Sequence, residues 1–120
     1  MRKKENTAHD RVALYHKLLA TNPEIKPKGA ANPYTSVNGN MFTLLHQSRT
    51  LAIRLPAAAR EEFIRKHKTA LFEVYGVVMK EYVAVPDLLL AKTAELKRYL
   101  ELSYQYAKSL KPKATKKPRA

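Results

Sequence analysis

The dipeptide Asn38-Gly39 constrains this chain more than any other pair of residues. It lies between two short runs, TSV and NMFTLL, rich in β-branched and apolar side chains. Asn-Gly is favoured where both central residues of a two-residue turn need positive φ, as a type I′ hairpin requires. The flanking runs are therefore predicted to pair antiparallel, with Val37 opposite Asn40, Ser36 opposite Met41 and Thr35 opposite Phe42. Pro33 donates no ladder hydrogen bond, so the first strand is expected at a sheet edge or to begin just after it.

The residues on either side supply the rest of a small domain. Upstream, Ala8, Val12, Tyr15 and Leu19 share a helical face that Leu14 and Leu18 widen, with Thr7 as its cap and Asn22-Pro23 as its stop. Downstream, TLAIRL alternates, setting Leu51, Ile53 and Leu55 against Ala52 and Arg54, as the third strand of a meander does. Pro56 suits the first position of a helix that turns Ala59, Phe63, Ile64 and His67 inward, with Glu61-Arg65 and Glu62-Lys66 as i,i+4 pairs outside. LFEVYGVV and EYVAV read as strands four and five, with Gly76 at a bulge or bend and Met79-Lys80 near the turn between them. Asp87 is the expected cap of a last helix running to about Leu110. Its inward residues are predicted to be Leu96, Tyr99, Leu100, Ser103, Tyr106, Ala107 and Leu110. The order α-β-β-β-α-β-β-α predicts an α+β fold, a two-layer domain with an antiparallel five-stranded sheet covered by helices.

The 120 residues suffice for one core and leave no room for a second domain. No apolar run approaches the ~20 residues that span a bilayer, and no signal segment is evident, so a cytoplasmic protein without a membrane partner is expected. The absence of cysteine excludes disulfides, thiolate nucleophiles, iron–sulfur sites and the common zinc frameworks. Twenty-three Lys and Arg against ten Asp and Glu give a formal +13. More than half of that excess lies on the ends: Arg2, Lys3 and Lys4 at one, and Lys111, Lys113, Lys116, Lys117 and Arg119 at the other, where no acid intervenes. Residues 1–6 and 111–120 are accordingly expected to be disordered basic ends around one domain over 7–110. The five cations of the tail are its candidate polyanion contacts.

Several stretches carry a family resemblance. VNGNMFTLL, TLAIRLP, YGVVMKEYVAVP and the terminal YAKSLKPK are similar to the TfoX N-terminal domain family, the TfoX/Sxy-like proteins, over roughly residues 28–113. The most specific parts are Asn38-Gly39 followed by Met41-Phe42, and Met79-Lys80-Glu81-Tyr82 followed by Val85-Pro86. Many members carry Lys-Met-Phe-Gly-Gly before the first strand, where this chain has Lys28-Gly29-Ala30-Ala31-Asn32. The separate C-terminal helical domain of the full-length regulators is not expected here, so a stand-alone member is implied. The resemblance implies an α+β fold of the order given above and, from named members, a transcriptional co-regulator of natural competence in bacteria. It implies no catalytic residues and marks Met79, Lys80, Glu81 and Tyr82 as the candidate motif surface.

The remaining chemistry-bearing residues form no recognisable constellation. His9 and His16 stand two helical turns apart, too far to share one ion, and His46 and His67 have no second ligand at useful spacing. Ser36, Ser48, Ser103 and Ser109 lie in no nucleophile-elbow sequence, and Gly29, Gly39 and Gly76 are isolated rather than gathered into a phosphate loop. No cofactor or metal is expected. Of the tyrosines, Tyr34, Tyr75, Tyr82 and Tyr104 are the candidates for exposure, although aromatics at Tyr34 and Tyr82 also suit strands. Three classes of function remain. A non-enzymatic regulatory or adaptor module with a transcription-related protein partner leads, nonspecific nucleic-acid binding through the basic tail and surface is the alternative, and an enzyme or small-ligand site comes third.

Overall fold

The computed structural model describes residues 8–29, 33–46 and 50–111. Thr7 as a cap, Ser48 and the ends at 1–6 and 112–120 lie outside them, as do the side chains of Ala8, His9 and Asp87. The chain forms α1 (Ala8–Leu19), β1 (Tyr34–Val37), β2 (Asn40–Leu45), β3 (Leu51–Arg54), α2 (Ala57–His67), β4 (Leu71–Val74), β5 (Val77–Val85), α3 (Asp87–Leu90) and α4 (Thr93–Ser109). The strands make one antiparallel sheet in the order β1-β2-β3-β5-β4, an α+β fold as predicted, with β1 at an edge.

The first hairpin turns at Asn38 and Gly39, with φ of 54° and 78°, as type I′ chemistry demands. Its register holds at Val37–Asn40 and Ser36–Met41, then slips: Thr35 faces Thr43, not Phe42. The extra residue in β2 turns both Phe42 and Thr43 toward the helices. That placement carries Thr43 Oγ1 to 2.6 Å from Thr35 Oγ1 and 2.7 Å from the Tyr15 hydroxyl, a chain of three buried hydroxyls that satisfy one another. Burial pushes the Tyr15 phenol up to about 12, against the two threonine hydrogen bonds, which lower it.

The main core fills the space between helices and sheet. Leu51, Ile53 and Leu55 of the β3 segment meet Tyr15, Leu18 and Leu19 of α1, Phe63 of α2 and Leu96, Tyr99, Leu100 and Ala107 of α4. On α1 the buried stripe is Arg11, Tyr15, Leu18 and Leu19, so Val12 lies at its margin. Phe63 packs edge-on against Tyr99 at 4.8 Å, with His67 alongside. Ser103 is buried because its hydroxyl donates to the Phe42 carbonyl. Pro56 is the N-cap of α2, one position earlier than expected, and Lys66 pairs with Glu95 of α4 at 3.4 Å.

Two expectations fail in the second half. The last helix is broken at Ala91 and Lys92, giving a single turn, α3, capped by Pro86, and then α4. Gly76 is not a bend within strand four. It forms the turn itself with Tyr75, at φ of 76° and 54°, so Met79 and Lys80 lie inside the nine-residue β5. β5 pairs with β3 through Tyr82–Val85, and with β4 through Val77–Met79 and again at Val83. Lys80, Glu81 and Tyr82 are unopposed on β4. The strand bends there, and the β4–β5 hairpin folds over the sheet face that the helices leave open. Phe72 and Tyr75 reach the ring of His46, at the end of β2, with centroids 5.9 and 5.8 Å apart. A flat sheet would hold β4 and β2 three strand spacings apart, about 14 Å. The fold-over buries Ala52, Phe72 and Tyr82 in a second cluster with Met41, Leu44, Val74, Met79 and Ala84.

Replacing Gly39 with Val forces a β-branched residue into positive φ and is expected to cost about 1–2 kcal/mol. Thermal unfolding measures it, and an unchanged melting temperature would contradict the turn.

Candidate functional site at one end of the sheet

The four residues of the motif Met79-Lys80-Glu81-Tyr82 meet four different environments because β5 bends through them. Met79 is half-buried in the second cluster, and Lys80 is exposed. Glu81 turns to Arg54, whose Nε donates to its Oε1 at 2.6 Å. Tyr82 is buried with its hydroxyl donating to the Met41 carbonyl at 2.8 Å, an oxygen that also accepts Arg54 Nη1 at 3.3 Å. The motif is therefore less a continuous surface than the seam where the two halves of the sheet are joined.

Around that seam a polar cluster closes. From α4, the Tyr106 hydroxyl lies 3.3 Å from Glu81 Oε2, and the Arg54 guanidinium sits 5.8 Å from the ring centres of both Tyr82 and Tyr106. Arg60 donates to the Leu55 carbonyl at 2.9 Å and acts on Glu81 and Tyr106 through its charge. Burial pushes the Glu81 carboxyl up, but the hydrogen bond and charge of Arg54, helped by Tyr106 and Arg60, outweigh it and hold the carboxyl below its ordinary range. Burial and the neighbouring carboxylate raise Tyr106, which keeps its hydroxyl neutral. Arg54, Glu81 and Arg60 thus each have a polar partner. What the cluster accomplishes is to tie β2, β3, β5 and α4 together.

Next to it, buried Asn40 donates from Nδ2 to the carbonyls of Lys111, at 3.2 Å, and Asn38. Lys111 is thereby held at this end of the sheet. Lys111 is exposed. The other tail candidates, Lys113, Lys116, Lys117 and Arg119, lie outside the described residues.

The tyrosines expected at the surface divide sharply. Tyr82 and Tyr104 are buried, the latter with its hydroxyl on Glu24 and its ring 5.5 Å from Phe42, while Tyr34 is half-buried. Tyr75 alone of the four is strongly exposed, at 80%. His67 is packed on Phe63 and Tyr99, where burial lowers its imidazole against the opposing pull of Glu95 3.9 Å away. Among the described residues no three His, Asp or Glu stand where one cation would bind them, and no helix is long and apolar enough to cross a membrane. An open trough of about 480 Å³ along the outer side of α4 is lined by Ala94, Lys97, Arg98, Glu101, Leu102 and Gln105.

The sequence reading places Arg54 and Tyr106 only as an outward and an inward side chain, and Tyr75 only as a candidate for exposure; their part in the cluster and in the turn escapes it. The signals were present: a lone cation in an alternating strand, a lone acid in the motif, and a glycine between β-branched runs. Comparison with protein-family models, with curated proteins and with solved structures found no match to this chain.

The low pKa of Glu81 carries a pH dependence. A carboxyl depressed by folding stabilises above its unfolded pKa and loses that stabilisation as pH falls through the folded value. Between about pH 5 and 3 the wild type is expected to lose more stability than Glu81→Gln, measured by denaturant midpoints. Parallel curves would contradict the Arg54–Glu81 assignment.

Proposed function

We propose that this chain is a non-enzymatic regulatory or adaptor module of the cytoplasm, of the kind its resemblance to the TfoX N-terminal domain implies, acting by protein contact at the tip of the β4–β5 hairpin. The observation that carries this reading is Tyr75. A bulky aromatic at φ 54° occupies a conformation suited to Asn or Gly, and it does so 80% exposed. Backbone strain retained at an exposed position is a reason to look for function there. Val77 and Val78 follow at 62% and 44% exposure, extending an apolar tip that solubility alone would select against.

The edges of the sheet support the same reading. At β1, Lys28 exchanges two backbone hydrogen bonds with Tyr34 and sets its ammonium 3.2 Å from Ser36 Oγ, covering that edge. Among the described residues, β4 pairs only with β5. An extended segment of a partner could add there, with Tyr75 and Val78 as side-chain contacts.

The test is capture of partners by full-length protein after nuclease treatment, repeated with Tyr75→Asn and Val78→Lys. Tyr75→Asn is expected to melt at the wild-type temperature or above it, having relieved up to about 1 kcal/mol of strain, while both variants lose the nuclease-resistant partner. Retention of the same partner by both would reject the hairpin tip as the contact.

A further inference from the structure

We propose that the outer face of α4 is a docking surface for a second copy of this chain, the two α4 helices packing antiparallel about a twofold axis. The surface belongs to the helical layer, across the sheet from the β4–β5 hairpin, so the inference is independent of the hairpin tip. Its residues are Ala94, Lys97, Arg98, Glu101, Leu102 and Gln105, which line the open trough along this helix. All are exposed except Glu101, which is half-buried, and Leu102 is a large apolar side chain left 43% exposed.

At about 100° per residue these positions make one stripe with two flanks. Lys97 and Glu101 stand on one flank, Arg98 and Leu102 on the other, and Ala94 and Gln105 run between them. The contacts agree with that division. Glu101 Oε2 accepts from Asn22 Nδ2 at 2.9 Å, just beyond the end of α1, while the Arg98 guanidinium lies 5.2 Å from the ring centre of Tyr99. Among the described residues neither Lys97 nor Arg98 is paired with a carboxylate, and Glu101 is paired with no cation. The stripe thus presents unpaired charges of both signs beside an exposed leucine.

Such a stripe is complementary to itself in one orientation. In an antiparallel twofold pair centred midway between Ala94 and Gln105, each flank meets the same flank of the second copy, running the other way. Lys97 then faces Glu101 of the second copy, and Glu101 faces its Lys97, giving two ion pairs. On the other flank Leu102 lies on the aliphatic stem of Arg98 of the second copy, and between the flanks Ala94 makes room for Gln105. In a parallel pair each flank meets the opposite flank at the same height, which sets Lys97 against Arg98 of the second copy twice. Like charges disfavour that arrangement, so charge selects the antiparallel one. A purely acidic partner helix would suit Lys97 and Arg98 but oppose Glu101. The stripe is only about 17 Å long, less than a standard interface spans, so the dimer is weak. A twofold contact of this kind closes on itself and adds no third copy.

The experiment is sedimentation equilibrium of the full-length protein at physiological ionic strength, where the formal +13 of each copy is screened beyond about 8 Å. From about 10 μM to about 1 mM, the weak end of specific association, wild type is expected to pass from monomer to dimer and to stop there. Lys97→Glu and Leu102→Arg each place like charges across the axis and are expected to lose the dimer. Lys97→Glu combined with Glu101→Lys exchanges the paired charges and is expected to restore it. Melting curves confirm that each variant is folded, and if the exchange unfolds through loss of the Asn22 bond, Lys97→Glu and Leu102→Arg, both at exposed positions, decide the matter. Monomer at every concentration overturns the proposal, as does a dimer that both single variants leave intact or a folded exchange variant that stays monomeric. A dimer abolished by Val78→Lys but not by Lys97→Glu assigns association to the β4 edge and overturns it too. So does uptake of a synthetic Glu-rich helical peptide by a protein that remains monomeric.

Discussion

β5 has to serve two neighbours at two registers, and most of what distinguishes this molecule follows from that. A strand paired regularly on both sides would extend the sheet flat, leaving Met41, Leu44 and Ala52 open to water. With Lys80, Glu81 and Tyr82 unopposed on β4, the strand bends and its outer half brings Phe72 and Met79 over those residues. Three residues given up from the ladder gain a second apolar cluster. The side chains at the bend are then used: Glu81 and Tyr82 bind Arg54 and the Met41 carbonyl. Arg54 spans both of these attachments, bonding Glu81 and the same Met41 carbonyl that Tyr82 reaches.

The same economy runs through the other layer. The bulge in β2 places Phe42 and Thr43 side by side facing the helices, and the hydroxyl that this buries is met by Thr35 and Tyr15. Ser103 and Asn40 are likewise buried with backbone carbonyls as partners. The bonds of Tyr15 to Thr43, Ser103 to Phe42 and Asn40 to Lys111 join elements distant in sequence, and each would be expensive to leave unmade. They specify how helices and sheet are seated, where apolar packing alone would tolerate several arrangements.

What the sequence made legible was local chemistry. Asn38-Gly39 announces its turn because both residues favour positive φ, and TLAIRL announces its faces by alternation. Tyr75-Gly76 makes the same turn but hides it, since tyrosine is a strand residue by preference and its turn conformation is imposed by the flanking pairs. The break at Ala91 and Lys92 contains neither Gly nor Pro; the burial of Leu89 and Leu90 fixes it, which is a tertiary fact. Tyr104 and Tyr106 differ in accessibility because the Glu24 loop covers one and not the other. The motif around Glu81 could be located from sequence, but not its role, because Arg54 is 27 positions away and reads as an ordinary outward cation.

The Lys28–Tyr34 bridge has a bearing on how large an assembly of this protein can become. A sheet with two open edges can add strands indefinitely, and its assemblies have no natural end. Here the β1 edge is bridged at Tyr34 by the chain's own backbone. A segment joining at β4 would complete the sheet, and two copies meeting there about a twofold axis would present only their covered β1 edges outward. In either arrangement the Lys28–Tyr34 bridge stands in the way of a further strand at the outer edge, which limits how far the sheet can grow.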